Sequence, residues 1–161
     1  NWSNAGLCFT VLDDSPLTSV EDLNSSDVTI MTYTGTGTEQ TIKATIPDAK
    51  IDSIPPPSGQ TFLALYVQSG RAEIAPFDSA LANVMANEFP NLRILPGGAA
   101  GCLAKPHAVR EIGLHIQQGD PVFKEFLTKA AEMWNDQLDK ELTQWADPVY
   151  QCAKIGKGCP D

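Results

Sequence analysis

The stretch VTIMTYTGTGTEQTIKATI, residues 28–46, runs from β-branched and apolar residues, through a loop where glycine and threonine alternate, into a segment without helix breakers. The β-branched residues of 28–34 predict a strand. The segment after the loop predicts a helix that stops before Pro47, because proline cannot continue a helix. This stretch is therefore predicted to form one strand–loop–helix unit.

The same alternation of strand and helix continues on both sides of this unit. Further strands are predicted at 7–12, 50–54, 72–77 and 91–95, a helical turn at 18–24, and helices at 60–69 and 78–89. The apolar face of helix 60–69 is expected to contain Phe62, Leu63, Leu65 and Tyr66. Strands that alternate with helices favour right-handed βαβ connections. The predicted fold class is therefore α/β, with a mostly parallel sheet and flanking helices.

The composition changes after residue 96. The segment PGGAAG, residues 96–101, predicts a flexible link, and the apolar alternation of REIGLHI, residues 110–116, predicts a half-buried strand. Two amphipathic helices are predicted at 121–134 and 138–145, separated by the polar residues NDQ. The chain is therefore predicted to end in a strand and a helical region.

Charge and hydropathy exclude two classes of protein. The net charge is −9 and the 11 basic residues are scattered, whereas nucleic-acid binding needs clustered Lys and Arg. No apolar run approaches the roughly 18 residues of a membrane span. The first residues are not a signal peptide, so an exported protein would already have lost its signal. We expect a soluble α/β protein that does not bind nucleic acid.

The four cysteines favour disulfides over a metal site. None of them has zinc-site spacing, and an even number suits an oxidising compartment. Cys152 and Cys159 enclose only AKIGKG, whose glycines permit a tight return, and are predicted to pair. Cys8 and Cys102 then pair by elimination, unless Cys8 bonds to a cysteine in a missing segment. Four free thiols in a cytosolic protein remain the alternative.

The glycine–threonine loop is a candidate anion site. Thr36 and Glu39 have capping-box spacing, in which Thr36 accepts from the Glu39 amide and Glu39 accepts from the Thr36 amide. Glycine lets a ligand approach the backbone closely, and the first amides of a helix can bind a carboxylate or phosphate. The candidate residues are Thr34, Gly35, Thr36, Gly37 and Thr38. The alternative is a well-capped turn without a ligand.

Nucleotide motifs do not fit this loop. A P-loop requires lysine at position 38, and the dinucleotide pattern requires glycine at position 40, where the chain has Thr38 and Gln40. No cofactor is therefore predicted.

Asp78 is the second candidate ligand residue. It follows a predicted strand and starts a helix, so helix capping alone could explain it. Ligands of open α/β sheets, however, gather outside the carboxyl ends of strands. A carboxylate at that edge, opposite a helix N-terminus, forms an ammonium subsite beside a carboxylate subsite. This pair of subsites outlines an α-amino acid.

The histidines do not indicate an enzyme. His115 lies between Leu114 and Ile116 in a predicted strand, and neither His115 nor His107 has an evident carboxylate or serine partner in sequence. No catalytic residue is predicted.

Several segments together resemble a known family. SPLTSVEDLNSSDVTIMTYTGTGTEQ, ALYVQSGRAEIAPFDSALA and IGLHIQQGDPVFKEFLTKAAEMW resemble, in order, the second lobe of bacterial type II solute-binding proteins, family 3, the amino-acid binders of ABC transporters. The resemblance covers about residues 7–150. It implies an entry hinge strand at 1–12, a ligand-binding lobe at 13–96, and a return strand with helices of the other lobe at 97–161.

The resemblance also implies roles for single residues. Asp78 matches the carboxylate that pairs with the ligand α-ammonium, and Thr36 and Gly37 match the loop that donates to the α-carboxylate. The family more often has a hydroxyl residue where Gly37 stands, so backbone N–H groups are expected to replace a side-chain donor. Family members also have a first lobe, with an arginine that clamps the carboxylate, before the point where this chain begins.

The function implied by the resemblance is capture of an amino acid or related zwitterion, in the periplasm or outside the cell, for an ABC importer with its permease. The alternatives are the sensor lobe of a receptor and a periplasmic dehydratase-like enzyme. The C-terminal helices are expected to need a cover, either the missing first lobe or self-association. Their apolar residues are Phe123, Phe126, Trp134, Leu142 and Trp145.

Overall fold

The computed structural model describes residues 3–56, 59–113 and 116–146. The strands are β1 (Ser3–Leu12), β2 (Thr29–Tyr33), β3 (Lys50–Ile54), β4 (Ala75–Asp78), β5 (Leu92–Leu95) and β6 (His107–Ile112). The α-helices are α1 (Gly37–Thr45), α2 (Gln60–Gln68), α3 (Ser79–Glu88), α4 (Gly98–Ala104) and α5 (Pro121–Ala146), and a 3-10 turn spans Glu21–Leu23. The predicted α/β class is confirmed.

The sheet is organised around β1. This strand pairs antiparallel with β4, β5 and β6, whereas β2 and β3 pair in parallel. A parallel bridge between Ile30 and Ile74 connects β2 to the start of β4. Strands β2 to β5 therefore share one direction, as predicted, but β1 is inserted between β4 and β5 in the opposite direction. The expectation of mostly parallel pairing is wrong around β1, because local sequence patterns do not specify where a strand enters a sheet.

This topology brings two strand ends to the same edge. Strands β2 and β4 are parallel neighbours, so the residues after Tyr33 and the residue Asp78 lie at the same end of the sheet. Asp78 is also held in register opposite Leu7 of β1. The two predicted ligand segments are therefore neighbours in space.

The core consists of two apolar clusters, which divide alternate residues of β1. Leu7, Phe9 and Val11 belong to one cluster, with Ile42 of α1. Cys8 belongs to the other cluster, with residues of α2 and α3. Because successive strand residues point to opposite faces, the sheet is covered on both sides. Packing on both faces therefore fixes the positions of the strand ends that carry the two predicted ligand segments.

Helix α2 buries a different face from the predicted one. Leu63, Ala64 and Val67 are buried, whereas Phe62 and Leu65 are 50% and 40% exposed. The prediction was right only for Leu63 as a fully buried residue. The error arose because nearly every residue of QTFLALYVQ that could face the sheet is apolar, so periodicity did not select one face.

The C-terminal elements differ from the predictions at three points. Residues 98–104 form α4 and not a flexible link, β6 lies at 107–112 and not at 110–116, and α5 continues through NDQ. Gly97 and Gly98 have φ of 65° and 73° and turn the chain into α4. The polar NDQ residues did not break α5, because polar side chains are compatible with a helix. Leu114 and His115 lie outside the described residues.

A disulfide joins Cys8 of β1 to Cys102 of α4, with their Cα atoms 5.9 Å apart. This confirms the predicted pairing of these two cysteines. The bond closes a long loop and ties α4 to the central strand. Cys152 and Cys159 lie outside the described residues, and their pairing stays a prediction.

Helix α5 contacts α3 but carries a row of exposed apolar side chains. Ala131 is buried, whereas Phe123, Phe126 and Trp134 are 47%, 64% and 57% exposed. The side chains of Leu142 and Trp145 lie outside the described set. Within the residues described, no helix is long and apolar enough to cross a membrane.

Candidate functional site

The candidate site lies where β2 and β4 end and α1 and α3 begin. Thr34, Gly35 and Thr36 connect β2 to α1, and Gly35 has φ of 76°, which favours glycine. Strand β4 leads directly into α3 at Asp78. Two helix N-termini, each equivalent to roughly half a positive charge, therefore start from one edge of the sheet.

The side chain of Thr36 caps α1. Its Oγ1 accepts from the Glu39 N–H at 3.2 Å and donates to the Tyr33 carbonyl at 2.8 Å. The Glu39 carboxylate accepts from the Gly35 N–H at 2.7 Å, and not from the Thr36 N–H as the capping box predicted. The left-handed turn at Gly35 brings its own amide to the carboxylate. The hydroxyl of Thr36 thus serves the turn itself.

Glu39 is a buried anion that belongs to this turn. Its carboxylate also binds Lys43 Nζ at 2.8 Å and the Ser53 hydroxyl at 3.0 Å. The Lys43 ammonium, followed by the Gly35 amide and the Ser53 hydroxyl, lowers the pKa of Glu39 to about 2. The carboxylate is therefore ionised at neutral pH and engaged by its three partners.

The backbone amides of the loop divide into used and free donors. The Thr34 N–H donates to the Ile54 carbonyl at 3.0 Å, and the Gly35 N–H donates to Glu39. Among the described residues, the amides of Thr36, Gly37 and Thr38 have no hydrogen-bond acceptor. The donors that could meet an anion are thus the first amides of α1.

Asp78 occupies the N-cap position of α3 but its side chain makes no capping hydrogen bond. Its Oδ1 instead accepts from Arg110 Nη2 at 2.9 Å, and 46% of the side chain is exposed. The simplest structural explanation of Asp78, helix capping, is therefore not what its carboxylate does.

Arg110 of β6 connects the two turns, and the sequence analysis missed it. Its Nη2 also donates to Thr38 Oγ1 at 3.0 Å, and its Nη1 lies 3.3 Å from where a Cβ on Gly37 would be. Its Nε is buried and has no hydrogen-bond partner in the part of the chain that the structure describes. One signal was available, because Arg110 shares its predicted strand face with Ile112 and is the charged exception there.

A β-bulge precedes Arg110 in β6. Ala5 pairs with Arg110 and Leu7 pairs with His107, so Gly6 faces two residues, Ala108 and Val109. Ala108 has φ of 47°, an uncommon conformation for a residue other than glycine. Bulges bend a strand and redirect its side chains. This bulge sets the direction in which Arg110 leaves β6.

The pairing of β1 with β6 requires glycine at position 6. A Cβ on Gly6 would lie 2.3 Å from Pro106 Cβ and 2.4 Å from Pro106 Cγ, closer than atoms in contact can be. The bulge and Arg110 therefore depend on the absence of a side chain at position 6.

His107 is not part of the candidate site. Its Nε2 lies 2.9 Å from Thr45 Oγ1, and its ring packs against Phe9 with ring centroids 5.6 Å apart. Burial lowers the pKa of His107, although Glu21 opposes this. Across the described stretches, no group of His, Cys, Asp and Glu could hold a metal ion.

Solved structures share this fold. The chain superposes with a TM-score of 0.67 and 24% identity on the ancestral amino acid-binding protein AncCDT-1, a precursor of cyclohexadienyl dehydratase, covering 89% of this chain and 59% of that one. A binding component of an ABC transporter from Wolinella succinogenes, complexed with lysine, gives 0.67 and 21%, covering 88% and 58%. The solute receptor for L-cysteine of Neisseria gonorrhoeae gives 0.67 and 17%, covering 94% and 57%.

No protein-family model and no curated protein matches the chain. The chain spans less than two thirds of the length of the solved proteins that it resembles. The resemblance is confirmed at the level of the fold: over that part of their length, this chain has the architecture of these amino-acid-binding proteins.

Proposed function

We propose that the chain is the ligand-binding lobe of an extracytoplasmic solute-binding protein that captures an amino acid or a related zwitterion. The observation that carries this proposal is the carboxylate of Asp78, which starts a helix without capping it. The carboxylate instead lies across the sheet edge from the free amides of Thr36, Gly37 and Thr38. An amino acid could bind both turns at once, with its α-ammonium at Asp78 and its α-carboxylate at these amides.

The proposed role is delivery to the permease of an ABC importer. It is supported by the fold shared with amino-acid binders and by the Cys8–Cys102 disulfide, which suits the periplasm or the extracellular space. In this proposal a second lobe closes over the ligand by hinge motion, with β1 and β6 as the paired strands at the hinge.

Helix α5 is proposed to pack on that other lobe, or on a second copy of the chain. Its exposed Phe123, Phe126 and Trp134 form an apolar face, and such faces on monomers are usually interaction sites. Helix α5 would then lie between α3 of this lobe and the other lobe, whereas α4 and β6 belong to the core and sheet of this lobe. Light scattering tests this arrangement, because we expect the isolated chain to associate, and a monodisperse monomer would contradict it.

The alternatives are a receptor sensor lobe and a dehydratase-like enzyme. A sensor would share the binding chemistry and differ in what the full reading frame encodes. The enzyme alternative is supported by one of the similar solved structures, which is a precursor of a dehydratase. His107, however, is engaged by Thr45 and packs against Phe9, which favours binding over catalysis.

The test is titration of the ¹⁵N-labelled chain with L-lysine, L-arginine and L-cysteine, with glucose as a control. We expect weak binding, in the millimolar range or above, with the largest amide shifts at Gly37, Thr38 and Asp78. Glucose should cause none. Shifts confined to other regions, or equal shifts with glucose, would contradict the proposal. The same spectra report turnover, because an enzyme would produce new ligand signals over time.

A further inference from the structure

Arg110 reaches the candidate site from a different element than the two turns. One guanidinium nitrogen, Nη2, satisfies Asp78 Oδ1 and Thr38 Oγ1 together. The other terminal nitrogen, Nη1, lies beside Gly37 and has no hydrogen-bond acceptor among the described residues. Arginine carries five N–H donors in a planar fork, so several donors of this side chain remain unused.

Positive charge converges beside Gly37. The guanidinium of Arg110 is close to the first amides of α1, and both favour an anion. Glu39 is engaged by Lys43, Gly35 and Ser53, and among the residues that the structure describes Asp78 is the carboxylate paired with Arg110. One half-exposed carboxylate does not balance the guanidinium and two helix N-termini. The arrangement therefore accommodates a second anion next to Nη1.

We propose that Arg110 binds the carboxylate of the amino-acid ligand from within this lobe. The ligand carboxylate would accept from Nη1 of Arg110 and from the amides of Gly37 and Thr38, while the ligand ammonium would meet Asp78. The ion pair of Arg110 and Asp78 would thus bind both charged groups of a zwitterion: Arg110 would bind the carboxylate and Asp78 the ammonium. This inference rests on the function proposed above and adds Arg110 as the specificity-determining residue.

The glycine at position 37 agrees with this role. A side chain there would place its Cβ 3.3 Å from Nη1, so the guanidinium would have to shift. Nη1 of Arg110 therefore lies beside position 37 and supplies a side-chain donor where Gly37 has no side chain.

A different role for Arg110 predicts opposite results. If Arg110 only neutralised Asp78 in the empty lobe, it would compete with the ligand ammonium. Its removal would then strengthen the binding of any amine. If Arg110 binds the ligand carboxylate, its removal weakens binding only of compounds that have that carboxylate.

The experiment compares the wild-type chain with Arg110→Gln and with the control Arg71→Gln. Arg71 is an exposed arginine over the Tyr66 ring, away from the two turns. The probes are L-lysine with cadaverine, which lacks the carboxylate, and 6-aminohexanoate, which lacks the α-ammonium. L-cysteine, cysteamine and 3-mercaptopropionate form a second set. Amide shifts in ¹⁵N spectra give the affinities and verify that each variant is folded.

We expect Arg110→Gln to weaken the binding of L-lysine or L-cysteine at least tenfold. This is the change in affinity that the loss of one hydrogen bond to a charged group produces. The amines without a carboxylate should bind Arg110→Gln as well as or better than wild type, and Arg71→Gln should change nothing. Unchanged or tighter amino-acid binding by Arg110→Gln overturns the role of Arg110 while the proposed function stands. Failure of the wild-type chain to bind any of these amino acids overturns both.

Discussion

The two turns at the sheet edge occupy equivalent places in the fold and use their N-cap side chains differently. The hydroxyl of Thr36 accepts from the Glu39 amide and donates to Tyr33, so it is committed to its own turn. The carboxylate of Asp78 forms no capping bond and reaches Arg110 on another strand. A polar residue at an N-cap is therefore a structural residue in one turn and a candidate ligand residue in the other.

The difference teaches how a helix cap can be distinguished from a binding residue. Both residue types are favoured at N-caps, so residue type alone does not separate them. The hydrogen-bond partner does, because a hydroxyl that donates its one proton within its own turn has none left to donate to a ligand anion. This distinction predicts separate effects of mutation on stability and on binding.

The largest effect is expected for Asp78→Ala on ligand binding. Loss of the half-exposed carboxylate that would accept from the ligand ammonium should cost about 1.5–3 kcal/mol of binding free energy, which weakens millimolar binding of L-lysine, L-arginine or L-cysteine at least tenfold. Stability should change little, because the Asp78 side chain does not cap α3. Amide-shift titration and thermal unfolding measure the two effects, with Asp27→Ala as an exposed control. Retained binding would return Asp78 to a purely structural role.

The next effect concerns the bulge that directs Arg110 toward Asp78. Gly6→Ala should lower the free energy of unfolding by about 1–3 kcal/mol, because the new Cβ would overlap Pro106. Urea unfolding checks this, and Gly113→Ala is the matched control, since none of the described residues lies within 4 Å of a Cβ at that position. Equal stability of the two variants would show that the pairing of β1 with β6 tolerates a side chain at position 6.

Thr36→Ala should mainly lower the free energy of unfolding and affect ligand binding less. Removal of an N-cap hydroxyl costs about 1 kcal/mol, and the same change frees the Glu39 amide. Ligand affinity should fall much less than in Asp78→Ala, because the backbone amides of the loop remain. Thr41→Ala in the same helix is the control and should not destabilise the chain. If Thr36→Ala abolished binding without loss of stability, the contrast between the two turns would be wrong.

The smallest expected effect is a pH dependence that involves Glu39. Its folded pKa is about 2 and its ordinary pKa is 4.5. Since the folded value is lower, ionised Glu39 stabilises the fold fully above pH 4.5, and this contribution is lost as the pH falls toward 2. Measured at pH 7, 4 and 2.5, the free energy of unfolding should therefore fall less with acidification for Glu39→Gln than for wild type. Identical pH profiles would contradict the role of Glu39 as the anion of this turn.

Much of the fold could be predicted from local sequence. The β-branched residues before Tyr33, the cap at Thr36 and the placement of Asp78 between strand and helix are short-range features, and all three are present in the structure. The same local patterns failed where the choice depended on neighbours. The buried face of α2 was decided by what this helix packs against, and α5 continues through NDQ because polar side chains are compatible with a helix.

By itself, the sequence determined the α/β class, the two turns at the strand ends and the residues Thr36, Gly37 and Asp78 as candidates. These follow from propensities and spacings within a few residues of chain. Only the tertiary structure decided that β1 enters between β4 and β5, and that Arg110 meets Asp78. Arg110 and Asp78 lie 32 residues apart, and their contact depends on strand order and on the bulge opposite Gly6. Such a contact depends on packing of the whole sheet, because no local preference brings two distant side chains together.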